Sequence, residues 1–250
     1  MSWSIYIPAR LRSKRLPNKP LLDIGGKPML HRVMDAALAC KPDRLVVVTD
    51  PGSRSITEAC ERYSPESEVI MDSRDFSNGS EAVASAADRL NDTSDIIVLV
   101  QGDQPFITKE AIVVCRDATM DSHDGFASLY TQGHLSDLNN PSRVKCVISL
   151  GGYALYFSRA PVPWMAPKER VLLHVGVYGF SRNSLSKYAE LSGVRDDEDL
   201  EQLRILYHGY RMRMRHAGIF NMSVDTEEDL FLARVEDLER ARLRGRNFSR

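Results

Sequence analysis

Residues 95–100 read Asp-Ile-Ile-Val-Leu-Val and stop at Gln-Gly-Asp-Gln-Pro. A strand with one wet face alternates apolar and polar side chains. An unbroken apolar run this short is a strand buried on both faces. Arg44–Thr49 (RLVVVT) has the same character, and residues 4–7 form a shorter run of the same kind. Between these runs lie apolar residues at helical spacing, over 29–40, about 53–63 and the alanine-rich 79–90. A short strand is expected at Glu68–Met71, and Thr108 is expected to cap a helix that runs to about Met120. Doubly buried strands alternating with helices over 120 residues predict a parallel sheet covered on both faces.

The second half is expected to be mixed. Strands are predicted over 125–130 and 143–149. Gly151-Gly152 turns the chain into a hairpin partner over 153–158, and another strand covers 172–180. Helices are predicted over 183–191 and 197–207. A half-exposed strand follows over 210–216, then a charged helix from Thr226 to about 244. The fold class expected is α/β: a Rossmann-like, mostly parallel sheet in one domain spanning 1–250, with a mixed α/β insertion at about 125–180.

Composition narrows the function classes. Lys and Arg number 33 against 34 Asp and Glu, a net charge of −1, so no global positive field recruits nucleic acid. The first apolar run ends at Pro8, too short for a signal sequence or a membrane span. Cys40, Cys60, Cys115 and Cys146 are widely separated and form no CxxC pair. They are expected as free thiols in a cytoplasmic protein without a zinc site. His31, His123, His134, His208 and His216 lack metal-ligand spacing and are expected on the surface or on helices.

Three constellations carry chemistry. The first strand runs into Ile-Pro-Ala-Arg10-Leu-Arg12-Ser13-Lys14-Arg15-Leu-Pro-Asn-Lys19-Pro. In open α/β sheets ligands bind beyond the carboxyl ends of strands. Five cations in such a loop offer bidentate guanidinium contacts, ammonium charges and backbone amides to a polyphosphate. The second is Gln101-Gly102-Asp103-Gln104-Pro105, where a carboxylate ends the most apolar strand. Asp103 is there a candidate Mg²⁺ ligand or simply a turn residue. The third is Ser223-Val224-Asp225-Thr226, whose acid either serves a helix N-terminus or completes a divalent-metal site with Asp103.

With these segments in hand, the chain resembles the 3-deoxy-manno-octulosonate cytidylyltransferases (CMP-Kdo synthetases). The match is carried by IPARLRSKRLPNKPLLDIGGKPML, VVVTD, NGSEA, VLVQGDQPFI, RVKCVIS, GYALYFSRAPVPW, HVGVYGFSR, EDLEQLRILYHG and SVDTEEDL, in order from residue 5 to about 230. The resemblance implies a Mg²⁺-dependent reaction of CTP with the sugar acid Kdo, giving CMP-Kdo and pyrophosphate for lipopolysaccharide or capsule synthesis. It implies a homodimer formed through the inserted region. It implies Arg10, Arg15 and Lys19 on the CTP phosphates, with Ala9, Ser13 and Gln101 beside the nucleotide. Arg10, Lys19 and Asp103 would be the catalytic set, and Asp103 and Asp225 would hold Mg²⁺. His174, Tyr178, Glu201 and Gln202 would contact the sugar.

Three departures fall where the resemblance places the sugar. Ser80-Glu81-Ala82 stands where the family has Thr-Glu-Arg. The stretch from Trp164 to His174 is shorter. Leu173-His174-Val175-Gly176 replaces Arg-His-Leu-Gly. The acceptor therefore stays open between Kdo and another ulosonic acid, such as the 8-amino form. A nucleotide-binding protein without catalysis is the alternative from a different class.

Overall fold

A computed structural model describes residues 1–250 except 12, 14, 73, 75, 165–170, 192–197, 199, 219–222 and 248–250, together with the side chains of 244–247. Its centre is a twisted sheet. Strands β1 (Trp3–Pro8), β4 (Arg44–Thr49), β5 (Glu68–Met71) and β6 (Ile96–Val100) are parallel, with Ile5 opposite both Leu45 and Val98. Two two-residue strands, β2 (Asp23–Ile24) and β3 (Lys27–Pro28), form a separate small hairpin.

Strands β7 (Phe126–Gln132), β8 (Lys145–Ile148), β9 (Ala154–Ser158), β10 (Leu172–Ser181) and β11 (Met212–His216) join the same sheet. The path runs β11-β7-β10-β6-β1-β4-β5, and β8 pairs with β10 and β9 beside it. Strand β10 is antiparallel to both β6 and β7, and β11 is parallel to β7. The α/β expectation holds, with the mixed half continuous with the parallel half.

Strand geometry sorts the core into two layers, since successive side chains point to opposite faces. Ile5, Ile7, Val47, Val98 and Val100 face helices α1 (Met29–Ala39), α2 (Arg54–Tyr63) and α4 (Lys109–Met120) through Leu30, Val33, Ile56 and Ile112. Tyr6, Val46, Val48, Ile97 and Leu99 face α3 (Gly79–Arg89), α5 (Arg182–Glu190) and α6 (Glu201–Tyr207) through Val83, Leu185 and Leu203. The helices start where side chains satisfy their first amides. Thr108 accepts from Ala111 N at 3.3 Å, and Asn78 accepts from Glu81 N at 3.0 Å while Glu81 accepts from Ser77 N at 2.9 Å. In the last helix, α7 (Glu227–Asn247), Thr226 and Asp229 cap each other's amides. No helix of the described residues is long and apolar enough to cross a membrane.

From β1 the chain proceeds outward to β4 and β5, then returns to place β6 on the other side of β1. The loops after β1 and β6 therefore part at a topological switch point, the place where open α/β sheets bind ligands.

Candidate functional site

The loops after β1 and β6 leave the sheet side by side. A Cβ on Gly102 would fall 2.8 Å from the Pro8 carbonyl, so only glycine allows this approach. A Cβ on Gly79, at the start of α3, would fall 2.9 Å from Gln101 Nε2. The segment before α7 is tied to the same point, because Val224 N donates to the Asp103 carbonyl at 2.9 Å. That bond brings Asp225 beside Asp103, two residues far apart in the chain.

The two carboxylates converge on one cation. Lys19 Nζ lies 2.8 Å from Asp103 Oδ2 and 3.1 Å from Asp225 Oδ1, and Arg15 Nη2 lies 3.1 Å from the same Asp225 oxygen. Burial pulls the Lys19 pKa down, but the two carboxylates outweigh it, so the net shift is upward and the ammonium stays charged. Among the described residues no group of three His, Cys, Asp or Glu gathers as a metal-binding set, so the acids stand as a pair.

Arg10 sits apart from this cluster. Its Nη1 donates to the Phe76 carbonyl at 2.8 Å, its Nε lies 3.4 Å from Asp50 Oδ1, and its guanidinium covers the Phe76 ring. Ser13 Oγ accepts from Leu16 N at 3.3 Å, which folds the loop back on itself. Arg12 and Lys14 lie outside the described residues.

Two cavities meet at the acid pair. One, of about 320 Å³, is lined by Ala9, Arg10, Ser13, Arg15, Lys19 and Gly102 among others. The other, of about 460 Å³, is lined by Gln104, His174, Gly176, Tyr178, Glu201 and Gln202 among others. Arg15, Asn78, Gly79, Gln101, Asp103 and Asp225 border both. All the residues that the resemblance assigned to the site thus line one cavity or the other.

The second cavity has different chemistry. Strand β10 carries a register irregularity between Val175 and Tyr178, and bulges of this kind re-aim side chains near functional sites. Gly176 lies in it. Its carbonyl accepts from Gln101 N at 3.2 Å, and a Cβ there would fall 2.5 Å from Gln104 Nε2. His174 Nε2 is 2.8 Å from Ser128 Oγ, and its ring packs edge-on to Phe157. Burial lowers its pKa to about 3, so the imidazole is neutral near pH 7. Tyr178 donates to Gln202 Oε1 at 3.1 Å, and Gln202 Nε2 is buried with no partner among the described residues. Glu201 accepts from Gln101 Nε2 and from Ser80 N, each at 2.8 Å. Burial raises its pKa, against the pull of these hydrogen bonds. Both Glu201 oxygens are engaged, so it also orients Gln101.

One of the three departures resolves differently from expectation. Ala82 lines neither cavity: it is 2% exposed in the apolar layer between α3 and the sheet. The helical phase of α3 points residue 82 inward, a property hidden in a motif that looks polar. The shortened stretch before His174 includes 165–170, outside the described residues. Leu173 and Val175 do border the second cavity. So do Ser142, Arg143 and Arg159, which the sequence reading did not nominate. Arg159 lies within the GYALYFSRAPVPW segment, and its charge inside an apolar stretch was the available signal.

The chain's relatives can now be set beside this geometry. Residues 5–219 match a family model described as cytidylyltransferase. A 3-deoxy-manno-octulosonate cytidylyltransferase of Sodalis glossinidius (strain morsitans) is 37% identical over 249 residues, covering 94% of this chain and 98% of that protein. One from Neisseria gonorrhoeae is 38% identical over 245 residues, covering 90% and 94%. A solved structure of CMP:2-keto-3-deoxy-manno-octonic acid synthetase complexed with CTP is similar with a TM-score of 0.84 at 31% identity. The match covers 96% of this chain and 100% of that one.

Proposed function

The chain belongs to the cytidylyltransferase family, and on that premise we propose that it couples CTP to 3-deoxy-manno-octulosonate, releasing CMP-Kdo and pyrophosphate. The observation that carries this reading is the meeting of two chemically different cavities at Asp103 and Asp225. Relatives named for this reaction, and a similar structure complexed with CTP, support it.

In this reading the triphosphate takes the smaller cavity. Lys19 and Arg15 supply cationic charge at the junction, Arg10 supplies it at the far wall, and Ala9 and Ser13 line the loop between them. The sugar acid takes the larger cavity. Neutral His174, Tyr178 and the unpartnered Nε2 of Gln202 offer hydrogen bonds there without adding charge. Gln101 borders both cavities, oriented by Glu201. The sugar's C2 hydroxyl attacks the α-phosphorus. The new O–P bond forms as the bond to pyrophosphate breaks, and the hydroxyl proton passes to solvent water. Alignment and neutralisation of the developing charge supply the acceleration, so no side-chain nucleophile is required.

The acid pair fits Mg²⁺. Asp103 and Asp225 present carboxylate oxygens to a single cationic centre, now the Lys19 ammonium. Mg²⁺ binds through one or two carboxylates and completes its shell with water and substrate oxygens. When bound there it supplies Lewis-acid charge to phosphate and acceptor oxygens. A homodimer through the 125–180 region belongs to the same reading, supported by the exposure of Leu135, Leu150, Leu155 and Trp164. So does a cytoplasmic location, consistent with four free cysteines.

The test is pyrophosphate release from CTP and Mg²⁺ with a panel of sugar acids that includes Kdo and its 8-amino analogue. The reading expects turnover with Kdo, and Asp103→Ala lowering kcat by on the order of 100- to 1,000-fold. Turnover only with another acid would reassign the acceptor. CTP binding without turnover on any acid would make the chain a nucleotide binder, and full activity of Asp103→Ala would remove the acid pair from the chemistry.

A further inference from the structure

The larger cavity has two ends. At the junction, the Gly176 carbonyl accepts from Gln101 N beside Asp103. At the other end, Leu173 pairs with Lys145 of β8, and His174 N donates to the Val144 carbonyl at 2.8 Å. Leu173 and Gly176 are separated by about 10 Å along β10. Ser142, Arg143 and Val144, which line the cavity, therefore belong to the end away from the acid pair.

Two cations hold that end in place. Lys145 is fully buried, and its Nζ donates to the carbonyl of Asn140 at 2.9 Å and to that of Arg159. Arg159 Nη1 donates to the Pro141 carbonyl at 3.0 Å, and its Nε donates to the Glu198 carbonyl at 2.9 Å. The turn also closes on itself: Arg143 N donates to the Asn140 carbonyl at 3.1 Å, and Ser142 N donates to Asn140 Oδ1 at 2.9 Å. Consecutive carbonyls are thus each gripped by a charged side chain, which fixes where Arg143 leaves the backbone. Burial lowers the Lys145 pKa, and the charges of Glu198 and Asp137 oppose that shift. Neither of these acids lines the cavity. Among the described residues that do, the acids are Asp103 and Asp225 at the junction and Glu201, which holds Gln101 there. The far wall carries Arg143 and Arg159 and no carboxylate.

On the premise of cytidylyl transfer to a sugar acid in this cavity, we propose that Arg143, with Arg159 beside it, reads the tail of the acceptor and selects an 8-hydroxyl over an 8-ammonium. The acid reacts through its C2 hydroxyl, which must meet the α-phosphorus at the junction. Its C7–C8 tail therefore extends toward the other end. A guanidinium has five N–H donors and no acceptor. A hydroxyl oxygen accepts from it. An ammonium has donors only, so it gains no hydrogen bond there and meets like charge, a contact that binding sites use to reject wrong partners. Arg143 is thus a specificity-determining residue and takes no part in making the new bond.

Pyrophosphate release with Kdo and with its 8-amino analogue, near pH 7 and at saturating CTP, tests this. The parent is expected to favour Kdo in kcat/KM by on the order of 100-fold or more. Arg143→Glu offers a carboxylate to the tail and should reverse the order. Arg143→Gln, which accepts as well as donates, should bring the two acids within about tenfold of each other. A merely structural defect would lower both acids alike and leave their ratio unchanged. If Arg143→Glu does not fold, the ratios of the parent and of Arg143→Gln decide. The proposal is overturned if the parent uses the two acids within about threefold, if it prefers the 8-amino acid, or if the variants keep the parent's ratio. Turnover of neither acid by the parent is a different failure, that of cytidylyl transfer itself, and the selection falls with it.

Discussion

The two cavities that meet at Asp103 and Asp225 are built by opposite means. The smaller is mostly the product of one continuous loop, residues 8–20, in which charge does the work: Arg10, Arg15 and Lys19 all belong to it. The larger draws on β6, β10, α6 and the segment before β8; its His174, Tyr178 and Gln202 are neutral, and its charges, Arg143, Arg159 and Glu201 among them, come from separate elements. Its His174 is held uncharged by burial, and its shape depends on Gly176 yielding space to Gln104. A polyphosphate can be held by concentrated charge from one segment. A polyhydroxylated acid needs hydrogen-bonding groups set at separate angles, which only several elements together provide. The two sides should therefore fail differently when altered.

The largest separable effect is expected on the charged side. Lys19→Met removes the ammonium that both carboxylates share. Hydrogen bonds to charged groups contribute about 1.5–3 kcal/mol each. The KM for CTP is expected to rise by on the order of 10- to 100-fold while the KM for the sugar acid moves little, as steady-state kinetics with each substrate varied will read. An equal rise for both substrates would break the division of labour. On the sugar side, Gly176→Ala pushes Gln104 Nε2 out of place. The KM for the sugar acid should rise about tenfold, equivalent to about 1.4 kcal/mol, with CTP binding preserved by calorimetry.

A further effect concerns stability rather than activity. The folded pKa of His174 lies near 3, below the ordinary value of 6.5 that the unfolded chain restores. Between those values the unfolded state binds the extra proton, so stability falls as pH drops from about 6.5 toward 3 and is flat above it. His174→Gln should lessen that acid loss, seen as a smaller fall in the urea midpoint between pH 7 and pH 4.5. An undiminished fall would mean that His174 is not held neutral by the fold.

The same contrast decided what could be read from the amino acids alone. The bounds of β4 and β5 followed from unbroken or β-branched runs, and the helix after Thr108 from its cap, because these are local signals. The loop cations were legible because they are contiguous and follow a buried strand. The β2–β3 hairpin was not, since two-residue strands carry no periodicity. The nearness of Asp103 and Asp225 was not legible from spacing either. It depends on the Val224 to Asp103 backbone bond across more than 100 residues, so the residues alone left it as one of two readings of Asp225, and the family resemblance chose between them. Ala82 misled for the reverse reason: a polar-looking motif lies on α3, whose phase turns that position into the core. The Asp50 and Phe76 partners of Arg10 lie in two further segments and left no local mark.

The central claim is that the acid pair joins the two halves of the reaction and is not merely an anchor for nucleotide. Asp225→Asn tests it most directly, with kcat measured by pyrophosphate release and CTP affinity by calorimetry without divalent cations. The account predicts a kcat lower by on the order of 100-fold or more, with CTP affinity within about threefold of the parent. A kcat within twofold of the parent, or a loss confined to CTP affinity, would contradict it.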